Sequence, residues 1–433
     1  MKLTKRDFLK AGGLAALGYA WKSADPAAAL GAELRDAVRR IERAGNSPAW
    51  DRIRDEFPLT RERVYFNNGT LGPSPTSVID AVTAAMSRVE TTGESYEAED
   101  AKLREKLAAF VGATSEEISL THNTSDGVNI VAQGLRLAAG DEILITTHEH
   151  VGNALPWLNV ARLTGAVLRS FSPLASAAEV LGAIESRLGP RTRVIAIPHL
   201  SCTTGQLFPI AEIVRLAESR GMLVAVDGAH GTGMLPLSLG ETGVHFYASS
   251  AHKWLCGPKG VGYLYVRRDL LDRLEPRFVG AYSDSGWSLE SVPPRIAGWN
   301  PTAHRFDYGT QNTALYAGAS AAIDFFSGIG QARITEHGLA LAKTLQSELL
   351  ARAGAVEMLT PTEDRSRGMM VSFRFRDPAK DFRKFGAFAG ARGFRVRLVA
   401  EAGLDAVRVS THLYNSTAEV SRFVAVVGEF LGE

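Results

Sequence analysis

From residue 118 onward, short apolar runs alternate with stretches whose apolar positions recur every three or four residues. The runs are residues 118–121, 142–146, 167–171, 193–198, 223–227, 246–249 and 261–266. They are too short for helices and are rich in Val, Ile and Leu, which suits buried strands. Amphipathic stretches of roughly ten to fifteen residues separate most of them, the pattern of a mainly parallel sheet covered on both faces. The last run follows its predecessor too closely for a helical crossover, so it is expected to be antiparallel. Upstream, residues 30–56 read as a helix with Leu34, Val38 and Ile41 on one face. Residues 64–66 form a short strand that runs into the polar turn Asn67-Asn68-Gly69. A backbone turn of this kind can approach a ligand closely, which makes Asn68 a candidate substrate contact. The alternative is a plain loop entering the helix that starts near Thr76.

Beyond Val266 the pattern becomes irregular. Residues 276–301 are rich in Gly, Pro, Ser and Trp and predict a long functional loop. Helices are predicted over 313–326, 331–352, 382–391 and 418–431, and strands over 369–375, 394–398 and 407–410. These give a small α+β domain over 328–433, following a large domain over 31–327.

Residues 1–30 have a different character. Thr4-Lys5-Arg6-Asp7-Phe8-Leu9-Lys10 precedes a weakly apolar run over 11–21 and then three alanines. This resembles a twin-arginine export signal, with Lys5 where the first arginine stands. It predicts a periplasmic or exported protein; the alternative is a basic amphipathic start on a cytoplasmic one. The run is about half the ~20 residues that span a bilayer, so no membrane anchor is expected.

Composition narrows the field. The 433 residues are 45% apolar, ample for a large core. A net charge of +1 offers no basic field for nucleic acid. Cys202 and Cys256 are the only cysteines and form no CxxC pair, which argues against a disulfide framework or a thiolate zinc site.

Two neighbouring runs carry the chemistry. One ends in Asp227 and His230, the next in Ser250, His252 and Lys253. A carboxylate and a lysine at adjacent strand ends suit pyridoxal 5′-phosphate. The lysine forms the Schiff base, and the carboxylate keeps the pyridine nitrogen protonated. A buried carboxylate needs such a partner, although a helix cap is the plainer reading of Asp227. His230 is placed to bond the ring oxygen or the Schiff base. Lys259 is the rival amine, but it sits in a Gly-Pro turn that holds a side chain poorly.

Other strand ends add to this. Thr124 and Ser125 open a helix, where free N–H groups and hydroxyls suit a phosphate; simple capping is the alternative. Ser250 and His252 are further phosphate candidates. His150, after the run 142–146, can stack on the pyridine ring. His148-Glu149-His150 lacks the i, i+4 histidine spacing of a helical metal site, so no metal is expected. The turn His199-Leu200-Ser201-Cys202-Thr203-Thr204-Gly205 either contacts the cofactor's ring oxygen or is only a polar turn.

The segments YFNNGTLGP, THNTSDGVN, HEHVGN, HLSCTTGQLFP, VDGAH, SSAHKWLCGPKGVGYLYV, DYGTQN and VRVSTHLYN, in this order, resemble the class V aminotransferases of PLP fold type I. That group includes cysteine desulfurases and isopenicillin N epimerase-like enzymes. The resemblance implies an α/β fold with a mainly parallel seven-stranded sheet sandwiched by helices and a small C-terminal α+β domain. It also implies Lys253, Asp227 and His150 as catalytic and cofactor residues, with Thr124, Ser125, Ser250 and His252 near the phosphate. It further implies that Thr310 reaches the phosphate of a neighbouring subunit, hence a homodimer, and that Arg408 takes the substrate's α-carboxylate, a task suited to a bidentate guanidinium. Desulfurases carry a nucleophilic cysteine before that arginine, and residues 395–407 contain none.

The expectation is therefore a PLP enzyme acting on an amino acid, first an aminotransferase and second an epimerase or lyase. A non-catalytic PLP-binding regulator is the reading from another class. It lacks support, because Lys253 and Asp227 are both present and no DNA-binding domain is visible.

Overall fold

The computed structural model describes residues 49–93, 97–173 and 176–433. The export-signal reading and most of the first predicted helix lie outside them. The strands run in chain order as β1 (Val64–Tyr65), β2 (Ile118–Thr121), β3 (Glu142–Thr146), β4 (Val167–Phe171), β5 (Thr192–Pro198), β6 (Leu223–Asp227), β7 (Phe246–Ser250) and β8 (Gly262–Val266). They continue with β9 (Asp284–Ser288), β10 (Arg295–Trp299), β11 (Val356–Met358), β12 (Met370–Phe375), β13 (Phe394–Arg395), β14 (Arg397–Val399) and β15 (Ala406–Ser410).

Strands β2 to β8 form one seven-stranded sheet in the order β2-β8-β7-β6-β5-β3-β4. Only β8 runs antiparallel to its neighbours. The ends of β2, β3, β5, β6 and β7 therefore lie along one carboxyl edge, where open α/β sheets bind ligands. Apolar side chains pack on both faces. One cluster includes Ile195, Val224 and Phe326, and the opposite one includes Ile143, Trp157 and Phe246.

Helix Thr124–Gly134 shows how an element is aimed at that edge. Asn123 caps it by accepting a hydrogen bond from Asp126 N at 3.0 Å. Gly127 lets it settle on β7, since a Cβ there would meet Ala248 Cβ at 2.8 Å. Its free N–H groups then face the end of β7.

The small domain has a four-stranded antiparallel sheet in the order β11-β12-β15-β14, with its own core around Phe373, Phe385 and Phe423. Two segments depart from expectation. The predicted single strand 394–398 is split: β13 pairs in parallel with β1, and β14 pairs with β15. The break turns the chain from one sheet to the other. The predicted loop 276–301 contains the hairpin β9–β10, whose Gly- and Trp-rich sequence hid its pairing. The remaining helix of the N-terminal segment, Ala49–Asp55, joins the two domains. Arg54 Nη1 donates to Tyr414 O at 2.8 Å, and Trp50 stacks on His337.

Candidate active site

The carboxyl edge brings Asp227 and Lys253 together. Asp227 pairs in register with Ala248 of β7, and Lys253 lies in the turn just after that strand. Both are buried. Asp227 Oδ1 accepts from Ala229 N at 3.0 Å. Burial lowers the pKa of the Lys253 ammonium, with Asp227 opposing the shift. A larger share of neutral amine favours attack on an aldehyde.

An arch made by residues 67–75 holds the lysine's backbone. Gly72 N donates to His252 O at 2.7 Å, and Asn68 Nδ2 makes a long contact of 3.5 Å with Lys253 O. A Cβ on Gly72 would overlap the Lys253 carbonyl oxygen, so this crossing needs glycine. Tyr414 OH donates to Asn68 Oδ1 at 2.9 Å. Asn68 is fully buried, and both ends of its amide are engaged behind the lysine. Lys259 sits on the outside of the same turn and donates to Gly72 O at 3.2 Å.

His230 Nε2 lies 3.3 Å from Lys253 Nζ, and Trp254 Nε1 donates to His230 Nδ1 at 2.9 Å. Burial, then the Lys253 charge, holds the imidazole well below the ordinary histidine range.

The phosphate candidates also meet. Thr124 N donates to Ser250 Oγ at 2.8 Å, and the two hydroxyls are 2.6 Å apart. Ser125 follows at the helix start. His252 Nδ1 is buried with no hydrogen-bond partner among the described residues. Two hydroxyls clustered at a helix start and an orphaned ring nitrogen are what a phosphate-bearing ligand would complete.

His150 caps helix Val151–Thr164, its Nδ1 accepting from Gly152 N at 3.0 Å. His150 is exposed at the edge of the site. Burial of part of the ring, then the Lys253 charge, lowers its pKa. Gly152 lets this turn lie against Ser125, whose hydroxyl a Cβ would overlap. The ring and phosphate candidates are thus held in one unit.

Beside His150, Glu149 accepts from Thr146 Oγ1 at 2.9 Å and Asn153 Nδ2 at 2.8 Å. Burial outweighs these bonds and raises its pKa to about 8, with the Asp227 charge adding to the shift.

The facing wall comes from the small domain. Arg408 on β15 is 1% exposed. Its Nη1 donates to Cys202 O at 2.6 Å and its Nη2 to Thr70 Oγ1 at 3.1 Å, while Nε has no partner among the described residues. Burial, then the nearby Arg397 charge, lowers its pKa, yet a guanidinium starts far enough above neutrality to keep its charge. Arg397, paired with Arg408 across β14–β15, also donates to Cys202 O, at 3.2 Å, and forms an ion pair with Glu401.

Arg397, Glu149, Trp254 and Thr70 had no assigned role in the sequence reading. The alternation Arg395-Val396-Arg397 is a period-two signal that would have put Arg397 on one strand face. Thr70 and Trp254 stand beside residues already singled out, Trp254 directly after Lys253, but nothing local assigns their side chains a role.

The turn 199–205 closes on itself. Gly205 N donates to Ser201 O at 2.9 Å, and Ser372 Oγ donates to Thr203 O at 2.6 Å. Cys202 is 3% exposed, and its carbonyl holds the two arginines. Thr310 is exposed on the loop before helix Thr313–Ile329, outside this cluster of contacts. Among the described residues, no group of His, Cys, Asp and Glu is placed to hold a metal.

The family model for "Aminotransferase class-V" matches residues 65–423. An isopenicillin N epimerase of Amycolatopsis lactamdurans is 32% identical over 88% of this chain and 98% of its own length. A probable cysteine desulfurase of Methanothermobacter thermautotrophicus is 30% identical over 88% of this chain and 97% of its own. Among solved structures, a lysine-to-alanine mutant of C-DES with glycine covalently linked to the PLP cofactor superposes with a TM-score of 0.79. It is 29% identical, covering 87% of this chain and 99% of that one. A second structure shows C-DES, a cystine C–S lyase, in complex with its reaction product, cysteine persulfide.

Proposed function

Given that the chain belongs to the class V aminotransferase family and uses pyridoxal 5′-phosphate, we propose that it is an amino-acid lyase cleaving a bond at Cβ. The reading rests on Lys253, the one buried lysine among the described residues, on the edge facing Arg408, together with the likeness to a cystine C–S lyase. Lys253 takes the Cα proton. The Cβ–leaving-group bond then breaks with its electron pair, and the released enamine hydrolyses to a 2-oxo acid and ammonia. When bound, pyridoxal 5′-phosphate supplies the sink for the electrons left at Cα.

The chain's own groups orient this chemistry. Arg408 holds the α-carboxylate. Thr124, Ser125, Ser250 and His252 hold the phosphate, His150 covers the ring, and Asp227 takes the pyridine N–H. The names of the relatives support both C–S cleavage and epimerisation. A persulfide carried on the protein itself is disfavoured, because Cys202 and Cys256 are both buried.

Epimerisation is the second reading, favoured by the 32% identical epimerase. It needs a second proton carrier on the opposite face of the substrate. Transamination, the first expectation from the sequence, uses the same lysine but needs an oxo-acid acceptor.

The test is a panel of L-amino acids, including cysteine, cystine and serine, incubated with and without a 2-oxo acid. Acceptor-independent release of oxo acid and ammonia supports the lyase. Appearance of the D-enantiomer alone selects the epimerase, and strict acceptor dependence selects the aminotransferase.

Thr310 on its exposed loop and the apolar tip of the hairpin, with Leu289 74% and Val292 99% exposed, support a homodimer in which this loop meets the partner's phosphate. Sedimentation at micromolar concentration tests it; a monomer would refute it. Residues 4–10 support export, which periplasmic fractionation of the tagged full chain tests.

A further inference from the structure

We propose that Trp254 is a positioning residue that fixes the tautomer of His230, so that the imidazole presents an Nε2–H donor to Lys253. An indole N–H can only donate. Trp254 Nε1 is 2.9 Å from His230 Nδ1, so that nitrogen must be a bare acceptor. The proton of the neutral ring then sits on Nε2, 3.3 Å from Lys253 Nζ. A doubly protonated ring would set N–H against N–H at Nδ1. Burial, first, and then any charge on Lys253 or Arg408 disfavour a second proton on the ring.

Trp254 is itself held. It is fully buried, in a small apolar cluster with Leu200, Met234, Met369 and Met370 between the two domains. His412 Nε2 lies 2.8 Å from the Trp254 carbonyl, and the two rings meet edge-on with centroids 5.2 Å apart. Gly233, with φ +85°, passes so close to the Trp254–Leu255 backbone that a Cβ would overlap it. The indole thus has little freedom to release the imidazole.

The consequence is a division of labour. His230 gives a hydrogen bond at Nε2 and takes no proton there. Lys253, whose pKa burial lowers, is the proton acceptor of the pair once its amine is neutral.

The test uses the full-length protein labelled with 15N-histidine, as purified with its cofactor and again after the cofactor is removed. Long-range 1H–15N correlation reads the tautomer, and the resonance lost in His230→Gln gives the assignment. In the wild type, His230 should show a bare Nδ1 and a protonated Nε2 in both forms. In Trp254→Phe, the two nitrogen shifts should move toward each other and become pH-dependent near neutrality. Wild-type His230 protonated on Nδ1 overturns the proposal, and this outcome needs no variant to fold. Unchanged His230 shifts in a folded Trp254→Phe also overturn it. Neither result depends on which amino-acid reaction the enzyme catalyses.

Discussion

The floor of the site and its facing wall are built on different terms. On the floor, at the ends of β2, β3, β6 and β7, polar groups hold one another within a few residues of a strand. Thr124 meets Ser250, His150 caps its own helix, and Asp227 accepts from Ala229. On the wall, Arg408 and Arg397 converge from neighbouring strands on the Cys202 carbonyl, about two hundred positions away in sequence. The floor is a fixed mould for one ligand. The wall is a charged surface whose shape depends on how two domains meet. That difference suits an enzyme family in which one cofactor serves several reactions.

The contrast breaks first at the floor's centre. Lys253→Ala should remove the absorption band of the lysine-bound cofactor and lower kcat by about 10³-fold or more, as loss of the proton-transferring group requires. A variant that kept both the band and most of its turnover would move the chemistry to another lysine.

Next comes the wall. Arg408→Gln removes a buried, doubly donating charge, a loss worth about 2–5 kcal/mol. We expect kcat/KM for the amino acid to fall about 10²-fold or more while the cofactor band remains. Loss of the band together with activity would show that wall and floor are not separable.

Glu149 sharpens the floor by its response to pH. Its folded-state pKa, about 8, stands above the ordinary 4.5 because burial favours the neutral acid. A group with a raised pKa contributes its stability fully below 4.5 and loses it as pH rises toward 8, because the unfolded chain releases the proton first. Urea midpoints of the wild type should therefore decline across that interval. Those of Glu149→Gln should decline less; parallel curves would show that the carboxyl is charged in the folded protein.

Legibility in the sequence follows the same division. Most of strands β2 to β8 were readable because each is a buried apolar run; β4, expected to be buried, is an edge strand with Val167 exposed. Asp227, Lys253 and Thr124 were readable because their neighbours in space are also neighbours of a strand end. Asn68 was placed near the site, but its burial behind Lys253 depends on Tyr414, which no local pattern links to it. Thr70 gained its role through a contact across the domain boundary, and Trp254 through its contact with His230, which sits on a different strand end. The hairpin β9–β10 was obscured because glycine, proline and tryptophan carry no clear two-residue period there.

The arch links the two halves, and its effect should be intermediate. Gly72→Ala forces a methyl group against the Lys253 carbonyl. Overpacking of this kind costs about 1–3 kcal/mol, read as a lowered urea midpoint. An unchanged midpoint would mean that the arch moves freely over the lysine.

The smallest effect expected is at Arg397. Its side chain is 21% exposed and already paired with Glu401, and partly exposed pairs contribute about 1 kcal/mol or less. Removing its charge withdraws some attraction for a carboxylate, but it also relieves the repulsion that weakens Arg408's hold on its proton. The two changes oppose each other. Arg397→Gln should therefore raise KM by no more than about tenfold and leave kcat near the wild-type value. If Arg397→Gln instead fell as far as Arg408→Gln, the substrate carboxylate would belong on β14. Arg408, with its Nη groups on Cys202 and Thr70, would then be the strut that holds the wall in place.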